Sequence, residues 1–350
     1  MVLLFAVAPR LSSAVPPAYT IEEIGSAEDL LDPKAINESG VIVGDCVPRD
    51  TLVHSAFITR EGKTTIVPPP DGFTHLFFAD VNDKNVVVGT AIGENKSRVV
   101  LYADEKLTFL SKAGELPLAT AIANSGVVVG IIDREDGHQN GAVWEHGRTT
   151  LVKPLEGDIA SWAFVISATG KIVGWSAYSK GYRLCQADLS GNTIPLIDND
   201  KWNRFRSMRP KAINPHGVVV GSSTAAGHYQ ACIIAEKVFA ELPDLPKNRL
   251  DEFIYFLEKH KRAVQQSSAY DINDDGWVVG TCTTPVASVA CLWIDDEVYR
   301  LDELVKTDEK WLFHSAVSLN NRGQIVGFGK RDGKETVFLL SPILTEKREQ

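Results

Sequence analysis

No apolar run in the chain approaches the roughly 18 residues of a membrane-spanning helix, so no membrane span is expected. There is no basic excess either: 36 Lys and Arg stand against 45 Asp and Glu, a formal net charge of −9. Nothing is left over to displace the counterions of a phosphate backbone, which argues against a nucleic-acid partner. The five cysteines, Cys46, Cys185, Cys232, Cys282 and Cys291, contain no CxxC pair and no metal-ligand spacing, so no metal centre is expected. Three of them (Cys185, Cys232 and Cys291) sit inside apolar runs and read as small buried hydrophobes. Cys282 and Cys291 flank a hairpin and could pair in an oxidising compartment, an alternative left open here. GxSxG, HExxH, P-loop and GxGxxG motifs are absent as well. Enzyme activity and a cofactor therefore find no positive support in the sequence.

What the chain does have is a ten-residue motif in seven copies, at 35–44, 80–89, 121–130, 165–174, 212–221, 271–280 and 318–327. Every copy ends in Val-Gly, and the residue four before that Gly is Gly in six copies and Asn85 in the other. The terminal glycines are 45, 41, 44, 47, 59 and 47 residues apart, a period that belongs to solenoids, arrays or propellers. Each copy holds an apolar run, usually ending in Asn, then a turn and a β-branched run. After each comes a third apolar run, such as Gly141-Ala142-Val143-Trp144, and usually a weaker fourth, such as Thr149-Thr150-Leu151-Val152. Four short strands joined by turn-rich hairpins make an antiparallel meander, and a unit of this size and content suits a propeller blade.

The chain ends predict how the ring closes. The last unit has three strands and then runs into Ser341-Pro342 and a charged tail, while an orphan strand near Tyr19–Ile24 precedes the first unit. Donating that strand to the last blade would remove both open edges. The expected architecture is therefore all-β, a seven-bladed propeller over 17–342, with a leader or degenerate signal segment at 1–16 and a charged tail at 343–350. Residues 2–8 form an apolar run without a preceding basic residue. An extracellular or periplasmic location is expected, with a cytoplasmic one as the alternative, and a monomer as the oligomeric state. The one long interval holds residues 248–264, with apolar residues at a helical period, acids early and bases late. It reads as one inserted amphipathic helix, either a packing cap or a docking element.

The motif itself is structural chemistry. Asn followed by Gly gives a hairpin positive φ at low cost, the Val pair packs between neighbouring blades, and the terminal Gly suits a bulge or a close backbone approach. Asn273-Asp274-Asp275-Gly276 lacks the later acidic ligand of a calcium loop. The units resemble the HAF repeat, also called the extracellular repeat, whose pattern runs Ala-Ile-Asn-x-x-Gly-x-Val-Val-Gly followed by His-Ala-Phe-x-Trp. The first part is recognisable in all seven units, with Ala123 and Ser167 replacing the Asn in two. The second part is loose: His54 stands one residue early before Ala56-Phe57, and Trp144 and Trp293 hold the Trp position. The resemblance implies export in many relatives and supplies no catalytic residues.

In a propeller the inner strands surround a channel, and ligands meet the loops at its mouth. Just upstream of the Asn column stand Lys34, His75, Trp162, Arg206, Arg209, Tyr270 and His314, a varied set on a monotonous scaffold. These are the candidate ligand-binding residues. Asp80 and Asp271 occupy equivalent positions two before the column but belong to different blades, which argues against an acid–base pair. The expected function is a binding module for a protein, small-molecule or glycan ligand, using the channel mouth or a face. The alternative is a hydrolase or lyase acting on a glycan or peptide through His75, Arg209, Tyr270 or His314.

Overall fold

The computed structural model describes residues 15–25, 30–112, 116–179, 181–197, 208–225, 228–246, 266–284 and 287–343. The inserted segment 248–264 and Arg206 lie outside them. The described residues form seven four-stranded antiparallel sheets, and the helix content among them is one four-residue turn, Leu301–Leu304. This is the seven-bladed propeller expected from the repeat. Blades 1 to 6 each use four strands in chain order from the centre outward. Blade 7 runs Trp311–Leu319, Ile325–Arg331, Lys334–Pro342, and is completed on its outer edge by Tyr19–Ile24, paired from Tyr19↔Pro342 to Ile24↔Val337. Tyr19 is fully buried, and Glu23 on the same strand binds Arg331 at 2.6 Å and Thr336 at 2.8 Å. The closing strand is thus held by burial as well as by its ladder.

Seven hydrophobic clusters fill seven wedges, each built from two adjacent blades. The Val before each terminal glycine (Val43, Val88, Val129, Val173, Val220, Val279, Val326) is completely buried in these wedges, contributing on the order of 1.5–3 kcal/mol apiece. Trp144 and Trp293, the two tryptophans that share a column, are also buried there. All five cysteines are among the described residues, all are buried, and no disulfide joins any of them.

The innermost strands are Leu30–Ile36, His75–Val81, Pro117–Ile122, Ala160–Ile166, Met208–Ile213, Gln266–Ile272 and Trp311–Leu319. Every one of them carries a β-bulge three residues before the Asn column. The terminal glycine of the motif lies opposite the bulge. A Cβ on Gly174 or Gly280 would sit 1.7 Å from the Trp162 carbonyl oxygen or 1.9 Å from that of Ser268, so only glycine lets the bulged backbone come this close.

Candidate functional site at the propeller channel

A radial blade presents the unpaired edge of its innermost strand to the channel, so a row of N–H and C=O groups there needs partners. The motif supplies them across blade boundaries. Asn37 Nδ2 donates to the Asn82 carbonyl at 2.9 Å, Asn82 to Ala123 at 3.2 Å, Asn214 to Asn273 at 3.2 Å, Asn273 to Asn320 at 3.5 Å, and Asn320 to Asn37 at 3.0 Å, closing the ring. A second tier joins the adjoining turns, as where the Glu38 N–H donates to Asp83 and the Asn321 N–H donates to Glu38. In blade 2 the turn residue Asn85 takes φ 60°, the left-handed conformation held by glycine in the other copies, and its Oδ1 accepts from Asn37 at 2.8 Å. This end of the channel, the exit, is built from repeated residues.

The N–H groups one residue before the Asn column are capped by the position before them. Asp80 Oδ1 accepts from the Val81 N–H at 2.8 Å and its Oδ2 from the Ile122 N–H of the next blade at 2.9 Å. Asp271 does the same for Ile272 at 2.8 Å and Leu319 at 3.0 Å, and Ser318 Oγ, itself bound to Asp271 at 2.6 Å, accepts from the Ile36 N–H at 3.3 Å. Burial is the largest influence on both carboxyls and pushes Asp80 up to about 7 and Asp271 up to about 6, against the N–H bonds that favour the ionised form; the charge of Asp271 also raises Asp80. Their geometry is that of backbone caps.

The bulged residue differs in each blade: Lys34, Ala79, Thr120, Phe164, Lys211, Tyr270 and Val317. Ala79 and Phe164 pack into the wedges between blades and Thr120 bonds the Ala163 carbonyl, whereas Lys34 and Lys211 are near enough to repel each other. Two sequence-predicted residues, Lys34 and Tyr270, belong to this ring. Lys34 pairs with Asp32 and lies 3.5 Å from Asp45, whose carboxyl is driven up to about 6 chiefly by burial. Tyr270 faces a residue that the sequence reading missed, Lys211, whose Nζ lies 5.7 Å from the ring centre. Burial in the channel lowers the Lys211 pKa, with repulsion from Arg209 and Lys34 adding to it. Counting three residues back from the Asn column finds Lys211 directly; reading the more variable loops upstream passes over it.

The other predicted residues sit nearer the entry mouth and do not form one cluster. His75 stacks on Phe77 (5.9 Å) and meets His54 at a tilt (4.8 Å), with His54 and Phe77 6.3 Å apart, where blades 1 and 2 meet. His314 occupies a second bulge in blade 7, and its Nε2 is buried without a hydrogen-bond partner. Trp162 and Arg209 come together around Trp175. The Trp162 ring meets Trp175 edge-on at 6.4 Å, Arg209 lies 6.0 Å over the Trp175 ring, and Tyr182 stacks on it at 4.9 Å. Trp162 Nε1 donates to Gln139 at 2.6 Å and Trp175 Nε1 to the Met208 carbonyl at 2.6 Å. Beside them an open cleft of about 710 Å³ between blades 3 and 4 is lined by Trp162, Tyr182, Gln139, Arg134 and Ile159. Among the described residues no group of His, Cys, Asp and Glu could hold a metal ion, and no helix is long and apolar enough to cross a membrane.

No protein-family model matches the sequence, and no curated protein matches it significantly. Solved structures are similar in fold. The β-propeller domain of the Trilobed protease from Pyrococcus furiosus, described as having an open velcro topology, aligns with TM-score 0.57 at 11% identity over 91% of this chain and 97% of that one. A Mycobacterium tuberculosis puromycin-hydrolyzing peptidase aligns with TM-score 0.54 at 11% identity over 91% of this chain. TolB from Acinetobacter baumannii aligns with TM-score 0.49 at 10% identity over 87% of this chain. The chain spans about half of the peptidase (53%) and 64% of TolB. At these identities the likeness is one of fold alone, and the fold it shows is the β-propeller.

Proposed function

We propose that this chain is a HAF-repeat propeller that binds a ligand at the entry end of its channel and in the cleft beside it. One observation carries the reading. The repeated residues tie five blade boundaries at the exit end, whereas four of the seven bulged residues (Lys34, Phe164, Lys211 and Tyr270) and the blade 3–4 cleft supply unrepeated side chains of aromatic and cationic character. Aromatic faces with a few fixed polar groups are what small-molecule and glycan sites use. The reading includes export from the cytoplasm and a monomeric state.

Thermal-shift and calorimetric titration with soluble saccharides and short peptides tests it. Saturable stabilisation by some member of the panel is expected, weakened by Trp162→Ala and Arg209→Ala. Equal stabilisation of both variants, or none of the wild type, would remove the support for this mouth. A second reading, a hydrolase or lyase acting on a glycan or peptide, draws on Asp80 and Asp271, whose raised pKa values leave protons near neutrality as a general acid requires. Both oxygens of each carboxylate already accept backbone N–H groups, which favours binding over chemistry. Turnover of a stabilising saccharide or peptide, lost in Asp80→Asn, would reverse that order.

A further inference from the structure

The caps described above are incomplete in one arc of the channel. The five capped N–H groups belong to Ile36, Val81, Ile122, Ile272 and Leu319. The equivalents in blades 4 and 5 are Ile166 and Ile213. The position that would cap them from the preceding blade is Ala121 for Ile166 and Val165 for Ile213, and on their own blades it is Val165 and Ala212. None of these side chains can accept a hydrogen bond. The N–H after Ile166 donates inward to its own hairpin, Ser167 to Lys171 at 2.9 Å, and that after Ile213 does likewise, Asn214 to Val218 at 3.0 Å. Alternation along a strand then aims the Ile166 and Ile213 N–H groups at the channel. Channel-facing donors left without acceptors are costly unless something outside the chain accepts from them.

Lys211 stands two residues before Ile213 on the same strand, bulged onto the channel beside Tyr270. Lys34 already has Asp32 and Asp45. Lys211 and Arg209 have no carboxylate within ion-pair distance among the described residues, and each lies only over an aromatic ring. Unspent positive charge on blade 5 thus stands beside unspent N–H donors on blades 4 and 5. We propose that the channel holds an anion site on blades 4 and 5, in which the Lys211 ammonium and the Ile166 and Ile213 N–H groups receive the carboxylate of a small organic acid. Backbone N–H groups converging beside a cation make a general anion cradle. One unpaired ammonium and two N–H groups match a single negative charge, so a monoanionic carboxylate suits the site better than a dianionic phosphate. This proposal rests on the binding reading above and names the chemistry of the ligand.

Amide resonances of the full chain report the site directly. Sodium glucuronate and sodium acetate are titrated at neutral pH, with sodium phosphate at pH 8 as the dianion. The Ile166 and Ile213 amides are expected to shift saturably with the carboxylates and less with phosphate. Affinity should fall roughly tenfold in Lys211→Met, the loss of one charge-assisted bond, and be kept in Lys211→Arg. The proposal is overturned if those two amides stay still at high glucuronate, or if Lys211→Met titrates like the wild type. Should the Trp162 and Trp175 indole resonances move while the two amides do not, the mouth binds ligand and the anion site is wrong. If all four stay still with every carboxylate, the anion site is wrong and the mouth is left to the saccharide and peptide titrations.

Discussion

Five of the seven blade boundaries are tied by an Asn side chain, three of those five by a cross-blade cap as well, and two by neither. From blade 5 round through blade 1 to blade 3, an Asn side chain binds the next blade's carbonyl, and at the 2–3, 6–7 and 7–1 boundaries Asp80, Asp271 or Ser318 also caps the next blade's channel-facing N–H. At the boundaries of blades 3–4 and 4–5 the Asn is replaced by Ala123 and Ser167, and the caps are missing too. Those boundaries use unrepeated contacts instead: Thr120 Oγ1 donates to the Ala163 carbonyl at 3.0 Å, and Trp175 Nε1 to Met208. The same two boundaries carry the cleft, the Trp162–Trp175–Tyr182 cluster and Arg209, with Lys211 on blade 5 turned towards Tyr270 of blade 6. Where the repeat is kept, side chains are committed to the ring. Where it lapses, they are available to a ligand.

The largest effect should come from undoing the tied arc at its seam. Removing residues 1–25 strips the strand that covers Lys334–Pro342 and empties the space of the fully buried Tyr19. Loss of the soluble folded protein is expected, read by circular dichroism and size exclusion; a stable truncated protein would contradict closure by this strand. Next, Asn320→Ala deletes the bond that joins blade 7 to blade 1 and leaves the buried Asn37 carbonyl short of a donor, a cost of about 1–3 kcal/mol in urea unfolding. The converse, Ala123→Asn, extends the ladder towards blade 4 and should add about 0.5–1.5 kcal/mol if the gap is there only to free the site; a destabilised variant would show that the Ala123 backbone cannot accommodate the bond.

The pH dependence separates the caps from ordinary surface carboxylates. Asp80 and Asp271 have folded pKa values near 7 and 6, raised from 3.8, so the folded state holds these protons more tightly than the unfolded chain. Their contribution to stability is complete below about pH 4 and is lost as pH rises through about 6 to 7. The double variant Asp80→Asn, Asp271→Asn should flatten the stability curve across that window, measured as the denaturation midpoint at each pH. An unchanged slope would mean that neither carboxyl titrates there. The smallest stability effect is expected in the untied arc: Tyr182 and Arg209 are exposed, and truncating either should move stability by no more than about 0.5 kcal/mol while ligand-induced stabilisation falls. A large loss of stability would make these residues part of the scaffold.

The blade count, the N-terminal closure and the packing role of the Val-Gly pair were legible in the sequence because a repeat reports the same physical requirement seven times. The turn glycine at φ 82° in Gly40 and Gly276 and the close approach at Gly280 are local demands that a single residue type answers. The site was legible only in part. Lys34 and Tyr270 fall on the bulge column, whereas His75, His314 and Trp162 stand on different blades and serve different surroundings. Lys211 was missed because a bulge, which depends on pairing between two strands, decides which residue of an inner strand faces the channel. The caps of Asp80 and Asp271 could not be read either, since each reaches a partner about 40 to 50 residues away.

The sequence alone therefore determined the ring: local turn chemistry and β-branched packing, repeated seven times, have one compact solution. Only the tertiary structure decided which side chains enter the channel and which backbone donors remain uncapped there, because both follow from how one blade's edge meets the next.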